Sequence, residues 1–334
     1  MDVAKKRTPV LIPGQEVRAQ LSRLLEGVAI GQQVLITKHG QPVAAIVGMP
    51  DYQQLAMLTP SKENNMKVIS IYNQAGGAGK TTVTRDVGYA FSQKGLKVLL
   101  IDLDTQASLT RWLGLLTETA GQPKPLAAKL DRTVCPVLLD ADADLPEPLE
   151  AFGMHIIPAN SKLAVGDSVL YDDQNRINQL RLAIRRLIDY DIVLIDAPPG
   201  RTAMAMAAVA ASDYILIPVN ASKALDNINN VAEILQAARK FSPKLKILAF
   251  VPHSVIPNTN HHKDVLRTLR VDLARLAPTT TPISYKATLY SDATIFQQPI
   301  AVYAPKNSPK AEYNLLADEI LALVNISQVK EVQI

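Results

Sequence analysis

Residues 73–82 read NQAGGAGKTT, a glycine-rich stretch that closes on Gly-Lys-Thr-Thr. An apolar run at 68–72 comes directly before it, and residues 80–94 continue with a helical pattern. A buried strand, a glycine turn and a helix N-terminus in that order are typical of a phosphate-binding loop. The alternative, a plain glycine turn between a strand and a helix, is disfavoured by the Lys-Thr pair. We therefore expect nucleotide phosphates at this turn.

The residue types of the loop suit a triphosphate. Glycines let backbone amides approach phosphate oxygens, because no Cβ stands in the way. Lys80 can reach the terminal phosphates, and the Thr81 hydroxyl can coordinate Mg²⁺. The predicted nucleotide-binding residues of the loop are Gly76, Gly77, Ala78, Gly79, Lys80, Thr81 and Thr82.

Outward from the loop, apolar strand candidates alternate with longer helical stretches. This alternation predicts an α/β fold with a doubly wound, mostly parallel sheet. The predicted strands are 67–73, 97–103, 154–158, 191–197, 214–219 and 246–252. The predicted helices are 80–94, 106–115, 176–189, 201–211, 224–241, 261–275 and 309–325. Residues 117–150, rich in proline, alanine and aspartate, are interpreted only as an irregular insertion.

Two of these predicted strands end in carboxylates. Asp102 and Asp104 are two residues apart, a spacing that places side chains on one face of a strand, and Asp196 ends another apolar run. Ligands of such sheets bind at the carboxyl edge, where these residues are expected. Acidic groups are costly to bury without a cation, and a magnesium nucleotide would supply one. Simple capping of the next turns is the alternative.

The composition limits the class of protein. The chain has 334 residues, 48% of them hydrophobic, which is enough for one large domain and one small one. Its net charge of +4 is compatible with nucleic acid or an anionic surface and compels neither. A single cysteine, Cys135, excludes an internal disulfide. No signal sequence or membrane span is recognised, so we expect a soluble, cytoplasmic protein that does not associate with membranes.

The first 57 residues form a separate pattern: a helix near 15–27, a hairpin of 33–37 and 42–47, and a short helix at 50–58. Polar residues 58–66 then predict a linker. The chain is therefore predicted to consist of a small α+β domain (1–57), a linker (58–66) and a nucleotide domain (67–334).

Residues 36–44, ITKHGQPVA, in this order of elements resemble the Phd/YefM antitoxin family over about residues 8–57. The resemblance implies dimerisation and operator DNA binding; dimerisation alone is the alternative. The candidate phosphate contacts are Lys5, Lys6, Arg7, Arg18 and Arg23.

The second domain resembles the ParA/MinD-type deviant Walker ATPases, a P-loop NTPase family, and most closely its partition branch. The matching motifs are DLDTQAS at 102–108, DAPP at 196–199, HIIPAN at 155–160 and QPIAVY at 298–303. The resemblance implies ATP and Mg²⁺ as cofactors. It implies that Lys80 binds the β and γ phosphates and that Thr81, Asp196 and Asp102 hold the metal ion. It further implies that Asp104 orients the attacking water and that Asn258 and Asn260 contact adenine, with plain polar loop residues as the alternative for this pair.

One family lysine is missing, because its position just before the paired glycines holds Ala75. In the family this lysine reaches the phosphates of the partner subunit. McdA-type carboxysome-positioning ATPases resemble ParA, also lack it, and use a later lysine. By that resemblance Lys223 is the catalytic substitute; a plain surface lysine is the alternative.

The resemblance also implies partners. It predicts an ATP-sandwich homodimer, reinforced by the N-terminal domain, which associates with the nucleoid through nonspecific DNA. A ParB-like or McdB-like adaptor would stimulate slow hydrolysis. There are two alternative functions: carboxysome positioning, and transcriptional regulation that senses nucleotide with negligible turnover. The candidate DNA contacts are Arg239, Lys240, Lys263, Arg267 and Arg270, for which solvated helix faces are the alternative.

Overall fold

The computed structural model describes residues 10–29, 32–38, 41–48, 65–116, 129–140, 142–221, 228–257 and 259–326. The chain divides into two compact units, Met1–Asn65 and Met66–Ile334. The proposed linker at 58–66 and the predicted helix at 50–58 lie almost entirely outside the described residues.

Within its described residues, the first unit contains a three-stranded sheet and one helix. Its elements are β1 (Val10–Pro13), α1 (Gly14–Ala29), β2 (Val34–Lys38) and β3 (Gln41–Ile46). The parallel pair β1–β2 and the antiparallel pair β2–β3 place β2 in the middle. A small core of Ile12, Leu24, Val28 and Val34 holds α1 on the sheet. Strand β1 was not predicted, because four residues are too few to show an alternating pattern.

The second unit is built on a seven-stranded sheet with the order β10-β9-β4-β8-β5-β7-β6. Neighbouring strands are parallel except for the antiparallel pair β6–β7. The predicted fold class is therefore confirmed. The strands are β4 (Lys67–Ile71), β5 (Val98–Asp102), β6 (Leu149–Ala151), β7 (Met154–Ile157), β8 (Ile192–Asp196), β9 (Tyr214–Asn220) and β10 (Lys246–His253).

Helices cover both faces of this sheet. Successive residues of β5 alternate between two cores: Leu99 and Ile101 face one, and Leu100 faces the other. The helices are α2 (Lys80–Gln93), α3 (Ser108–Trp112), α4 (Cys135–Leu139), α5 (Ala164–Asp172), α6 (Gln179–Arg185), α7 (Ala203–Ala211), α8 (Ile228–Ala238), α9 (Asn260–Arg267), α10 (Ala287–Ile295), α11 (Ile300–Tyr303) and α12 (Ser308–Leu323).

The interpretation of 117–150 as irregular was wrong for its described part, which contains α4 and β6. These elements have five and three residues, so neither is long enough to show a hydrophobic period. The predicted helix 261–275 also differs, because α9 ends at Arg267 and Thr268–Asp272 continues as a π-helical turn.

Candidate nucleotide-binding site

The glycine-rich loop joins the carboxyl end of the interior strand β4 to the first turn of α2. Gly77 and Gly79 have φ angles of 69° and 96°, a left-handed conformation that favours glycine. A Cβ on Gly79 would also lie 2.9 Å from the ring of His253, whereas one on Gly76 would meet nothing within 4 Å. The loop thus packs tightly on its inner side and is open at Gly76, as a phosphate cradle requires.

Two asparagines hold the loop in place. The Asn73 side chain donates to the carbonyl of Pro218 at 2.7 Å and accepts from the amide of Ala75 at 2.9 Å. Asn220, at the end of β9, donates to the carbonyl of Gly77 at 3.0 Å. Sequence reasoning missed both residues, because their partners are either backbone atoms or distant in the chain.

Lys80 is the buried cation of the loop. It is 7% exposed, and its Nζ donates to the carbonyls of Asn73 at 3.0 Å and Ala75 at 3.1 Å. The ammonium group therefore lies inside the curve of the loop, at the N-terminus of α2. Both features favour binding of an anion.

Thr81 and Asp196 form the second part of the site. The Thr81 hydroxyl donates to Asp196 at 2.8 Å, and the Thr84 hydroxyl lies 3.4 Å from the other carboxylate oxygen. Burial, and then the neighbouring Asp102, raise the pKa of Asp196 well above its ordinary value. A hydroxyl beside a buried carboxylate is the oxygen donor set that suits Mg²⁺, whose charge would stabilise the ionised Asp196.

Asp102 is fully buried and accepts three hydrogen bonds. Its donors are the Asp104 amide at 3.1 Å, the Thr110 amide at 3.0 Å and the Thr110 hydroxyl at 2.7 Å. Burial raises the pKa of Asp102 to about 6, although these hydrogen bonds oppose the shift. These three hydrogen bonds anchor the Asp102 side chain, and its predicted part in metal binding stays a prediction. Thr110 was missed by sequence reasoning, since nothing in residues 108–112 marks it.

Asp104 lies in the turn that follows β5. The expectation that Asp102 and Asp104 share one face of a strand was wrong, because the strand ends at Asp102 and its alternation stops there. The turn is fixed instead by hydrogen bonds: Asp104 accepts from the Gln106 amide at 2.9 Å, and the Leu103 amide donates to the Asp196 carbonyl at 3.1 Å. Asp104 is partly exposed, so its carboxylate can meet a water molecule.

His253 packs behind the loop, against Gly79. It is 6% exposed, and burial lowers its pKa to about 4. Its Nδ1 lies 2.9 Å from the Ser254 hydroxyl, and its Nε2 lies 3.4 Å from the Tyr313 hydroxyl. A neutral imidazole thus connects the phosphate loop to α12. No sequence pattern indicates this contact.

The remaining predicted site residues are dispersed. Lys223 and Asn258 lie outside the described residues, as do Lys5, Lys6 and Arg7. Asn260 is the exposed first residue of α9. The predicted DNA contacts are all exposed: Arg239 and Lys240 follow α8, Lys263 and Arg267 belong to α9, and Arg270 lies in the π-helical turn. Arg18 and Arg23 are exposed on α1.

Comparison with known proteins gives two family matches. Residues 66–247 match the family described as AAA domain, and residues 11–65 match the antitoxin Phd_YefM of type II toxin-antitoxin systems. A probable plasmid-partitioning protein ParA of Thermus thermophilus is 30% identical over 268 residues, which are 77% of this chain and 79% of that protein.

Two solved structures are also similar to this chain. Cobyrinic acid a,c-diamide synthase from Mycobacterium smegmatis, with bound ATP analog and magnesium, is 27% identical with a TM-score of 0.61, over 76% of this chain and 93% of that one. A McdA–ATP complex from Cyanothece is 22% identical with a TM-score of 0.66, over 80% and 99%, and shows the same fold.

The fold and the site together define a P-loop nucleotide-binding protein. The chain belongs to the ParA/MinD-type ATPase family and carries a Phd/YefM antitoxin domain at its N-terminal side. The predicted family resemblance is therefore confirmed, and the expected cofactors, ATP and Mg²⁺, agree with the ATP analog and magnesium bound by the cobyrinic acid a,c-diamide synthase. Within the described residues, no helix is both long and apolar enough to cross a membrane.

Proposed function

We propose that this protein is a partition-type ATPase that positions a plasmid or another cargo. Two copies bind Mg²⁺-ATP face to face, and the resulting dimer holds nonspecific DNA of the nucleoid. A ParB-like or McdB-like adaptor stimulates slow hydrolysis and releases the dimer. The observation that supports this function best is the buried Lys80 inside the loop, next to the Thr81–Asp196 pair.

The residues of the site have different proposed roles. Lys80 and the loop amides bind the β and γ phosphates, while Thr81 and Asp196 hold Mg²⁺, which supplies positive charge for the phosphoryl transfer. Asp104 orients the attacking water. Thr110 positions Asp102, whose hydrogen bond to the Asp104 amide fixes that turn.

Calorimetry with Mg²⁺-ATP tests the proposal directly. We expect the full chain to bind the nucleotide and Lys80→Ala to lose at least tenfold in affinity, because the buried cation of the loop is removed. Lys310→Ala, on the exposed start of α12, is the matched control and should bind like wild type. If the folded wild-type protein releases no heat of binding, the proposed function is wrong.

Lys223 is proposed to replace the lysine missing at Ala75 by crossing the dimer interface to the phosphates. The Ala75 carbonyl accepts from Lys80, so this position of the loop supplies a backbone oxygen and no cation. Lys223→Ala should then abolish ATP-dependent dimerisation and turnover while monomer ATP binding persists. Full dimerisation and turnover in this variant would contradict the role.

The antitoxin-like unit is proposed to add a dimer contact and operator binding. On α1, Leu21 and Leu25 are 45% and 52% exposed and share one face at a spacing of four residues. A second copy of this unit would cover these apolar side chains. Arg18 and Arg23 on the same helix remain candidates for operator phosphates, and a mobility shift on upstream DNA at low salt tests them.

Carboxysome-type positioning is the second candidate, favoured by Ala75 in place of the family lysine. Both candidates share the ATP site and differ in cargo. Identification of the cargo that the ATP-bound form carries separates them. A regulator that senses nucleotide without turnover would instead show no adaptor-stimulated phosphate release.

A further inference from the structure

A cavity of about 670 Å³ opens on the edge of the large sheet opposite the nucleotide site. It is lined by Val98 and Leu99 at the start of β5 and by His155 near the start of β7. Strands β4, β5 and β7 run in the same direction, so their amino ends lie at one edge of the sheet. The phosphate loop follows the carboxyl end of β4, and Asp102 is the last residue of β5, so both lie at the opposite edge. We name this cavity the amino-edge groove.

The groove has an apolar interior. Its lining includes the buried residues Leu96 and Ile157 and the partly buried residues Leu145, Leu187 and Tyr190. Pro146 and Pro148, two residues apart, add rigid apolar surface beside them. An interior of this volume and character is typical of a binding site.

Carboxylates surround this interior. Glu147 and Asp189 line the groove, and both raise the pKa of Tyr190, although burial contributes most to that shift. Glu150 is paired with His155 in the register of β6 and β7, so the two side chains lie on the same face of the sheet. His155 lines the groove on that face. Among the described residues, none of these three carboxylates forms an ion pair.

The neighbouring sequence strengthens the negative charge. Residues 140–150, DADADLPEPLE, contain five carboxylates and no lysine or arginine, in a chain whose net charge is +4. Asp144 forms an ion pair with Arg186, and the Arg132 guanidinium donates to the Glu147 carbonyl, but the other four carboxylates form no ion pair among the described residues. The basic side chain that lines the groove is Lys97, which is exposed. Phosphates of nucleic acid and anionic lipid headgroups are repelled by such a rim, whereas cationic groups are attracted.

We propose that the amino-edge groove is a docking site for a basic peptide segment of a partner protein. A leucine or an aromatic residue of the segment inserts between Leu145, Leu187 and Tyr190, and flanking lysines or arginines meet Glu147, Glu150 and Asp189. Because the groove and the phosphate loop occupy opposite edges, the peptide and Mg²⁺-ATP bind at the same time. The proposal does not depend on the ATPase function.

Fluorescence anisotropy with the full chain tests the docking site. The probe is a fluorescein-labelled peptide, Lys-Lys-Leu-Trp-Leu-Lys-Lys, with two analogues: one carries glutamate for each lysine, and one carries serine for each apolar residue. We expect the first peptide to bind, to weaken as salt rises, and to be unaffected by Mg²⁺-ATP. Both analogues should bind at least about tenfold more weakly.

Matched variants locate the binding. Glu147→Lys combined with Asp189→Lys should lower the affinity for the basic peptide about tenfold or more. Asp172→Lys combined with Asp264→Lys reverses two exposed carboxylates outside the groove and should leave it unchanged. Amide exchange in residues 145–155 and 187–190 should slow when the peptide binds.

Three results would overturn the proposal: no binding of the basic peptide by folded wild-type protein, equal loss in both double variants, or equal binding of the glutamate analogue. Loss of ATP binding alone would leave the docking site intact and would count against the proposed function instead.

Discussion

Thr110 shows how one hydroxyl supports the predicted catalytic turn. It donates to Asp102 at 2.7 Å and accepts from the Ala159 amide at 2.9 Å, and all three groups are buried. Asp102 in turn accepts from the amide of Asp104. The geometry of Asp104 therefore depends on a residue that is not among the predicted phosphate or metal ligands.

We expect Thr110→Val to destabilise the protein by about 1–3 kcal/mol, because a buried carboxylate and an amide each lose a partner. Hydrolysis should fall more than Mg²⁺-ATP affinity, since the Asp104 turn is affected and the phosphate loop is not. Urea unfolding, calorimetry and steady-state ATPase assays measure these effects. Thr110→Ser keeps the hydroxyl and serves as the control; equal losses in both variants would contradict this role.

The buried His253 predicts a pH dependence of stability. Its pKa falls from 6.5 to about 4 in the folded protein, so acid protonates the unfolded chain first. Stability from this group is complete above pH 6.5 and is lost as the pH falls toward 4. The loss between pH 7.5 and 5.0 is about 2 kcal/mol.

Urea unfolding at pH 7.5 and pH 5.0 measures this loss of stability. His253→Gln should show a smaller decrease than wild type, by about 2 kcal/mol. His261→Gln, an exposed histidine on α9, should keep the wild-type decrease. Identical decreases in all three proteins would show that His253 is not a buried neutral group.

Single residues differ in how far the sequence predicted them. Lys80, Thr81 and Asp196 were predictable, because the first two belong to one contiguous motif and the third ends an apolar run. Asn220 and His253 contact the loop from strand ends more than 140 residues away, as the separation of 143 between Asn220 and Gly77 shows. Only the folded sheet brings such residues together.

At the level of elements, length decided what the sequence could predict. Strands such as β8 are continuous apolar runs, and α2 and α12 are long, so their patterns are clear. Helix α4 and strand β6 are too short for a period and lie in a segment rich in aspartate and proline. Four lining residues of the amino-edge groove, Leu145 to Pro148, come from this same segment.

Helix α9 carries a prediction about DNA. Lys263 and Arg267 are exposed at a spacing of four residues, so they share one face. We expect Lys263→Glu combined with Arg267→Glu to weaken ATP-dependent binding to random duplex DNA. The slope of log affinity against log salt should fall by about 2 in magnitude, because two phosphate contacts are lost.

Fluorescence titrations at several salt concentrations measure the slope. Lys306→Glu combined with Lys310→Glu reverses two exposed lysines beside the start of α12 and provides the control. A slope that changes equally in both double variants would assign the effect to net charge and not to α9.

For the whole molecule, the two units have separate cores. Among the described residues, the core of the first is formed by Ile12, Leu24, Val28 and Val34, and both cores of the second begin at Met66 or later. We therefore expect the fragment 66–334 to fold and to bind Mg²⁺-ATP with unchanged affinity. Without nucleotide it should be a monomer, whereas the full chain should be a dimer through its first unit.

Light scattering after gel filtration, with and without Mg²⁺-ATP, tests this division. The Lys80→Ala full chain is the control for dimerisation that does not need nucleotide. A full chain that is monomeric without nucleotide would remove the dimer contact assigned to the first unit.

The position of β4 between β9 and β8 has a consequence for synthesis. The amide of Val68 donates to the carboxylate of Asp213, 145 residues later, and both strands beside β4 also come late in the chain. At about 5–20 residues per second, a ribosome needs roughly 7 to 30 seconds to supply them. During that interval the antitoxin-like unit is already synthesised, while the backbone N–H and C=O groups along both edges of β4 still lack their partner strands.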